Sequence, residues 1–172
     1  KKMIISIIVI AILLAAFLVY SVLKIRSAAS VSVSRPESTH SGDVHRLYAH
    51  VEQLSVHIGS RSIYEYDKME DTKRYIVSCL ESFGHIPTLQ NYEYGGKMYS
   101  NIIVSIPGAT YPDETVIFGA HYDTVYGTPG ADDNASAVAV LLEMCRALKN
   151  SAPGRTLKLI FFFLEEPPVF RT

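Results

Sequence analysis

The chain has 172 residues, of which 48% are hydrophobic and 19% charged, and its formal net charge is -1 at pH 7. This composition excludes a disordered chain, and the length allows one globular domain plus an appendage. Residues 1–26 contain four basic residues and no acidic one, so the remainder carries 12 of the 16 basic residues against all 17 acidic ones. That acidic balance argues against nucleic acid as a partner, because nucleic-acid binding needs a basic face.

An apolar run near the start of the chain predicts membrane attachment. Residues 4–23 are almost entirely apolar, and at about 1.5 Å per residue a helix of this length spans roughly 30 Å, the thickness of the hydrocarbon core. We therefore predict a transmembrane anchor over residues 1–26 and a Ser-rich linker over residues 27–42. A cleaved signal peptide stays open, because Ser27-Ala28-Ala29 resembles a cleavage site. Basic residues flank both ends of the run, so the orientation of the anchor stays open too.

The first part of the predicted domain contains two helices and a hairpin. Apolar side chains recur twice at helical spacing, and Ser41 or Asp43 is placed to cap the first helix. Two β-rich runs then flank Gly95-Gly96, a pair typical of a two-residue hairpin turn. The predicted bounds are 43–56 and 66–83 for the helices and 85–94 and 98–106 for the strands.

A strand, a helix and a second strand follow, over residues 115–120, 133–149 and 156–164. The first strand is short and apolar, which predicts burial on both of its faces. A strand–helix–strand order predicts a right-handed crossover with parallel strands, and sheets of this kind place their sites at the carboxyl ends of the strands. His121 and Glu165-Glu166 occupy those ends, so we expect them to lie at one edge of the sheet.

The side chains at these strand ends are ones that hold a divalent metal. Zinc binds imidazole nitrogen and carboxylate oxygen, and Asp123 is placed to orient the ring of His121 through its second nitrogen. Each feature taken alone also has an ordinary structural interpretation: a hydrogen-bonded histidine, helix capping by Asp132-Asp133, or a solvated strand end at Glu165-Glu166. In strand register two adjacent glutamates point to opposite sides, so that one faces the metal and the other a substrate water.

Three motifs in this order resemble those of the co-catalytic di-zinc exopeptidases, which include aminopeptidases Y and S and the glutamate carboxypeptidase type. The motifs are Gly-Ala-His-Tyr-Asp at 119–123, Gly-Ala-Asp-Asp-Asn-Ala-Ser at 130–136, and an apolar strand ending in Glu165-Glu166. The resemblance covers about residues 43–172. It implies an α/β fold, part of a three-layer α/β/α sandwich with a mixed sheet, in which residues 43–172 are the N-terminal part of the catalytic domain.

The resemblance also implies a role for each site residue. His121 would bind one zinc ion, Asp133 would bridge two, and Glu166 would bind the second. Glu165 would be the general base and Asp123 would orient His121, giving two-metal hydrolysis of a peptide substrate. The family tends to hold the peptide bond after the bridging aspartate in cis, which here is Asp133-Asn134. The domain would then be extracytoplasmic, attached to the membrane by a single span, with its oligomeric state open.

The sequence departs from the family pattern in two ways. Ala137 replaces a usual glycine, a change that a helix accepts. The family takes its last two ligands, an aspartate and a histidine, from further downstream, so we expect this chain alone to bind zinc weakly and to hydrolyse slowly or not at all. Two alternatives stay open: a glutaminyl-cyclase-like transferase with a single zinc, and a non-catalytic anchored homologue that serves as a binding ectodomain.

Overall fold

The computed structural model describes Tyr20 and residues 43–169. The chain divides into two units, Lys1–Thr39 and His40–Thr172, and all elements named below belong to the second. The predicted membrane segment at 4–23 lies outside the described residues except for Tyr20. Within the described residues, no helix has the length and hydrophobicity needed to cross a membrane.

Three helices form where the apolar periodicity predicts them. Helix α1 spans Val44–Glu52 and begins at Asp43, whose Oδ1 accepts a hydrogen bond from the His45 backbone N–H at 3.0 Å, as predicted. It continues into a π-helical turn, Gln53–Ile58, and helix α2 follows at Tyr66–Ser82. Helix α3 spans Ser136–Leu148. Their buried apolar side chains form one core with the sheet, and they include Leu54, Met69, Ile76, Leu80, Val138 and Leu142.

Four strands form one mixed sheet in the order β1-β2-β4-β3. Strands β1 and β2 pair antiparallel across Gly95-Gly96, both with positive φ, which confirms the predicted hairpin. Strand β4 lies between β2, to which it is antiparallel, and β3, to which it is parallel, so the predicted parallel pair is also confirmed. The bounds are Thr88–Tyr94 for β1, Lys97–Ile106 for β2, Tyr111–His121 for β3 and Arg155–Phe162 for β4.

In the described part of the chain, the helices cover one face of this sheet. Residues that share the covered face are buried, such as Ile102 on β2 and Phe161 on β4, whereas Lys158 and Phe162 on the other face are exposed. Residues 43–169 therefore show two layers, a mixed sheet and helices. The third layer of the predicted sandwich stays a prediction.

The predicted burial of the strand at 115–120 is wrong. Strand β3 is an edge strand of the described sheet, and its side chains are exposed from Tyr111 to Gly119, with Ile117 at 59%. Strand β4 is internal to the described sheet. The reason is that β2 pairs with β4 and not with β3, which leaves β3 with one neighbour.

Candidate metal centre

His121 is the last residue of β3, and its two ring nitrogens face different carboxylates. Nε2 lies 2.9 Å from Asp133 Oδ1 and 3.8 Å from Glu165 Oε2. Nδ1 lies 3.5 Å from Asp123 Oδ1 on the opposite side of the ring. Three predicted site residues thus surround the imidazole that the sequence placed at the strand end.

Asp123 is only 2% exposed and connects two parts of the site. Its Oδ1 faces His121, and its Oδ2 accepts a hydrogen bond from the Glu166 backbone N–H at 3.0 Å. A carboxylate beside one ring nitrogen fixes the ring orientation and leaves the other nitrogen for a metal. Asp123 thus lies beside the ring nitrogen that its predicted orienting role concerns, and that role stays a prediction.

Glu165 and Glu166 lie beyond the end of β4, so the prediction that they extend the strand register is wrong. Leu164, just before them, has a positive φ of 69°, and the residues from Phe163 onward bend away from the sheet. The first residue of the bend is held by a hydrogen bond, in which the backbone N–H of Phe163 donates to Asn101 Oδ1 at 3.1 Å. Both carboxylates consequently turn toward His121: ligand atoms of His121, Glu165 and Glu166 lie within 4.8 Å of one another.

Asp133 lies in a wide turn, Ala131–Ala135, that precedes α3. Helix α3 begins at Ser136, later than the predicted start at residue 133, because Asp133 and Asn134 have non-helical backbone angles. Neither aspartate caps the helix; the Oδ1 of Asn134 accepts from the Ala137 backbone N–H at 3.2 Å. The Asp133-Asn134 peptide bond is cis, as the resemblance implied. The Asp133 side chain is 74% exposed and therefore free to face a ligand.

Negative charge exceeds positive charge at this site. Burial lowers the pKa of His121, but Asp123, Glu165 and Asp133 outweigh it and raise that pKa to about 9. Burial raises the pKa of Glu166, and the charges of Asp133 and Glu165 add to that effect, while His121 opposes it. One imidazole thus faces several carboxylates that repel one another.

These residues fit a divalent cation. The cluster offers one imidazole nitrogen and several carboxylate oxygens, the donors that zinc prefers. His121 Nδ1 and Asp123 Oδ1 are buried without a well-formed hydrogen bond, and a cation at Nε2 would strengthen their pairing. His121, Glu165 and Glu166 form the tightest group, whereas Asp133 reaches the site through its 2.9 Å contact with His121.

Arg61 is a residue of this region that the sequence did not identify. It lies in the loop between the π-helical turn and α2. Its side chain is fully buried and donates to the backbone carbonyls of Tyr122, Pro129 and Gly130. An arginine in a Gly-Ser-Arg-Ser loop is the only sequence signal, and such a loop is typical of an exposed turn.

Comparison with known proteins agrees with this site. Residues 101–170 match the model of peptidase family M28. Protein YfbL of Escherichia coli (strain K12) is 34% identical over 145 residues, covering 80% of this chain and 44% of that protein. Aminopeptidase YwaD of Bacillus subtilis (strain 168) is 36% identical over 80 residues, 46% of this chain and 18% of the aminopeptidase. The chain thus spans less than half the length of these curated relatives.

Solved structures with this fold belong to two kinds of enzyme. A Zn-dependent exopeptidase from Parabacteroides distasonis is 27% identical with a TM-score of 0.59, over 73% of this chain and 48% of that one. A glutaminyl cyclase from Bacteroides thetaiotaomicron is 26% identical with a TM-score of 0.58, over 74% and 48%. The mixed sheet with helices is therefore that of the zinc-dependent exopeptidases. The match of residues 101–170 to peptidase family M28, together with the aminopeptidase relatives and the exopeptidase structures, supports a di-zinc exopeptidase family.

Proposed function

We propose that this chain carries part of a zinc-dependent exopeptidase site that hydrolyses peptide bonds at the N-terminus of a peptide. One observation supports the proposal above all: His121, Glu165 and Glu166 come from two strand ends, yet their ligand atoms lie within 4.8 Å of one another. Asp133 adds a fourth side chain, 2.9 Å from His121 Nε2. Neither helix capping nor solvation of a strand end requires an imidazole and several carboxylates to lie this close together.

Each of the proposed site residues has its own chemical role. Zinc, when bound, acidifies a water molecule and polarises the scissile carbonyl. His121, Asp133 and Glu166 would hold the zinc, and Asp133 is the residue that two ions would share. Glu165 accepts the proton of the water that attacks the carbonyl carbon and delivers it to the amine as the C–N bond breaks. Asp123 keeps the His121 ring oriented throughout.

The general-base role of Glu165 has a direct test. In a full-length version of the protein that also carries the downstream ligands, Glu165→Gln removes the proton acceptor but keeps the shape of the side chain. We expect hydrolysis of an aminoacyl substrate by that version to fall by about 100-fold or more while zinc stays bound. Zinc content and hydrolysis are measured on the same samples, with the exposed Glu114→Gln as the control variant. Undiminished hydrolysis in Glu165→Gln would remove this residue from its role.

The metal itself has a separate test. We expect the parent chain to bind zinc in competition with a chromogenic chelator, with a stoichiometry that reports whether one or two ions bind. If the chain bound no zinc below the millimolar range, the peptidase proposal would be contradicted. The result would instead support the non-catalytic alternative, a binding ectodomain.

A second candidate function is that of a glutaminyl-cyclase-like transferase with a single zinc. The structural similarity to the Bacteroides thetaiotaomicron glutaminyl cyclase favours it. A stoichiometry of one zinc per chain, with cyclisation of peptides that begin with glutamine and no release of N-terminal residues, would support it. Two zinc ions and release of N-terminal residues would support the exopeptidase.

The proposed cellular setting rests on the sequence alone. We propose that the apolar run at 4–23 anchors the protein in a membrane by a single span and that the domain is extracytoplasmic, where it meets peptide substrates. Fusing a reporter enzyme to either side of residues 4–23 tests the orientation. Recovery of the protein in the soluble fraction, with residues 1–29 removed, would support cleavage of a signal peptide instead.

A further inference from the structure

Arg61 is a fully buried charged residue with an unusual set of partners. Its side chain is 0% exposed, and burying a guanidinium is costly unless its N–H groups are all satisfied. Among the described residues, the hydrogen-bond acceptors of its side chain are backbone carbonyl oxygens and none is a carboxylate. A guanidinium that donates only to backbone carbonyls holds the backbone segments that carry them in fixed positions relative to one another.

The carbonyls that Arg61 contacts come from three separate segments. Two belong to the π-helical turn and its end, one to the residue that follows His121, and two to the residues that lead into the Asp133 turn. The donor–acceptor distances are 2.8 Å from Nη1 to Leu54 O, 2.7 Å from Nη1 to Gly59 O, 2.8 Å from Nη1 to Pro129 O, 3.0 Å from Nη2 to Gly130 O, and 2.9 Å from Nε to Tyr122 O.

The main chain of Arg61 also bonds to the segment that follows His121. Its backbone N–H donates to Thr124 Oγ1 at 2.9 Å. Thr124 follows Asp123, so Arg61 contacts the chain on both sides of that orienting carboxylate. Burial lowers the pKa of Arg61 to about 10, and the charge of Asp123 opposes this effect. The guanidinium therefore remains a cation at neutral pH, close to the carboxylate that orients His121.

Gly130 shows how closely the Asp133 turn fits against Arg61. Its φ is +54°, and a Cβ atom placed there would lie 2.8 Å from Arg61 Nη2 and 2.5 Å from the Asp133 backbone oxygen. Its own carbonyl accepts from both Arg61 and the Ala135 backbone N–H, the latter at 3.0 Å. The start of the turn is thus packed directly on the guanidinium.

We propose that Arg61 is a positioning residue of the metal centre: its guanidinium sets the distance between the strand end that carries His121 and the turn that carries Asp133. The proposal rests on the proposed function, in which these two side chains bind zinc. Arg61 contacts neither ligand side chain. It acts through the carbonyls of Tyr122 and Gly130, each close in sequence to one ligand.

The experiment compares Arg61→Met and Arg61→Lys with the parent chain and with Leu80→Ala. Leu80 is fully buried in α2, so Leu80→Ala controls for a general loss of stability. Zinc affinity is measured by chelator competition. Amide hydrogen exchange of residues 121–135 is measured on the metal-free chain, so one readout is independent of zinc.

We expect Arg61→Met to weaken zinc binding by about 10-fold to 100-fold and to speed exchange of the Ala135 amide in the metal-free chain. Lysine has three donors and no fixed fork, so Arg61→Lys should lose part of that affinity. Leu80→Ala should keep the parent's zinc affinity in the folded fraction. The proposal is supported only if the loss is selective for the Arg61 variants.

Other outcomes would overturn it. Zinc affinity and Ala135 exchange in Arg61→Met equal to those of the parent chain would show that Arg61 positions nothing. If Arg61→Met did not fold, Arg61→Lys would decide, and a zinc affinity within a factor of two of the parent would contradict the proposal. A parent chain without zinc affinity would instead overturn the proposed function, whatever the exchange data showed about the loops.

Discussion

Two largely buried histidines of this chain lie beside carboxylates, but in opposite electrostatic settings. His50 of α1 has its Nδ1 2.6 Å from the Tyr75 hydroxyl and its Nε2 3.6 Å from Glu143 Oε1. Glu143 is already paired with Arg146, whose Nη2 lies 2.7 Å from its Oε2. His121, in contrast, faces the carboxylates of Asp123, Asp133 and Glu165.

The pKa values of the two imidazoles shift in opposite directions. Burial lowers the pKa of His50, and Glu143 only partly opposes it. At His121 burial also lowers the pKa, but the surrounding carboxylates raise it to about 9. The Glu143 carboxylate beside His50 is neutralised by Arg146, so this histidine has a role in helix packing. A group of unmatched carboxylates around an imidazole attracts a cation, and that difference separates the structural histidine His50 from the proposed metal ligand His121.

The largest expected effect separates the two histidines by zinc binding. His121→Gln removes a proposed ligand, so we expect zinc affinity to fall by at least about 100-fold, beyond the effect of losing an outer partner. His50→Gln is the matched control and should bind zinc within a factor of two of the parent chain. Calorimetric or chelator titration measures both. Equal losses in the two variants would contradict the contrast.

The next effect concerns the carboxylate that orients each ring. In Asp123→Asn, the amide oxygen can still accept from the Glu166 backbone N–H. The amide NH2 group then faces His121 Nδ1 and donates to it. The proton then moves to Nε2, the nitrogen proposed for zinc, so we expect a 10-fold to 100-fold loss of zinc affinity. Glu143→Gln should cause none. Parent-like zinc binding by Asp123→Asn would show that the ring needs no such partner.

Glu143→Gln should affect stability instead. The substitution leaves the Arg146 guanidinium without its bidentate carboxylate, and we expect the free energy of unfolding to fall by about 1–3 kcal/mol. Urea denaturation of the metal-free chain measures it. Arg74→Met, which breaks an exposed ion pair with Asp71, should change that free energy by less than about 1 kcal/mol. Similar losses in both variants would contradict a special role for the pair of Arg146 with the buried Glu143.

The smallest expected effect is a difference in pH dependence of metal-free stability. The folded pKa of His121, about 9, exceeds its ordinary value of 6.5, so its stabilising contribution is complete below pH 6.5 and is lost as pH rises toward 9. The folded pKa of His50 is lowered, so its contribution is present above pH 6.5 and is lost as pH falls below that value.

Urea denaturation across pH 5–9 with a chelator present tests both signs. His121→Gln should flatten the loss of stability between pH 6.5 and 9, and His50→Gln should flatten the loss below pH 6.5. The parent chain measured at each pH is the reference. A His121→Gln profile parallel to that of the parent above pH 6.5 would refute the raised pKa.

The sequence predicts the site well where topology alone brings residues together. A strand, a helix and a parallel strand must end at one edge, which places His121 near Glu165 without knowledge of any side-chain contact. Asp123, two residues from His121, was close enough in sequence for its partner to be inferred. The hairpin at Gly95-Gly96 was equally local.

Features that depend on distant neighbours could not be predicted. Strand β3 is as apolar as a buried strand, and only the pairing of β2 with β4 makes it an edge. The acceptors of Arg61 are backbone carbonyls, which every residue possesses and no sequence pattern marks. The bend at Leu164 likewise depends on the positive φ of a residue that rarely adopts it.

The hydrogen bond from the Glu166 backbone to Asp123 has a consequence for zinc as a folding ligand. It already joins the two ends of the segment between β3 and the bend beyond β4, and zinc ions held by His121, Asp133 and Glu166 would close the same loop a second time. Because such an ion binds only the folded arrangement, every tenfold rise in free zinc above its dissociation constant should add about 1.4 kcal/mol to the free energy of unfolding. The midpoint of thermal unfolding would then report zinc concentration directly.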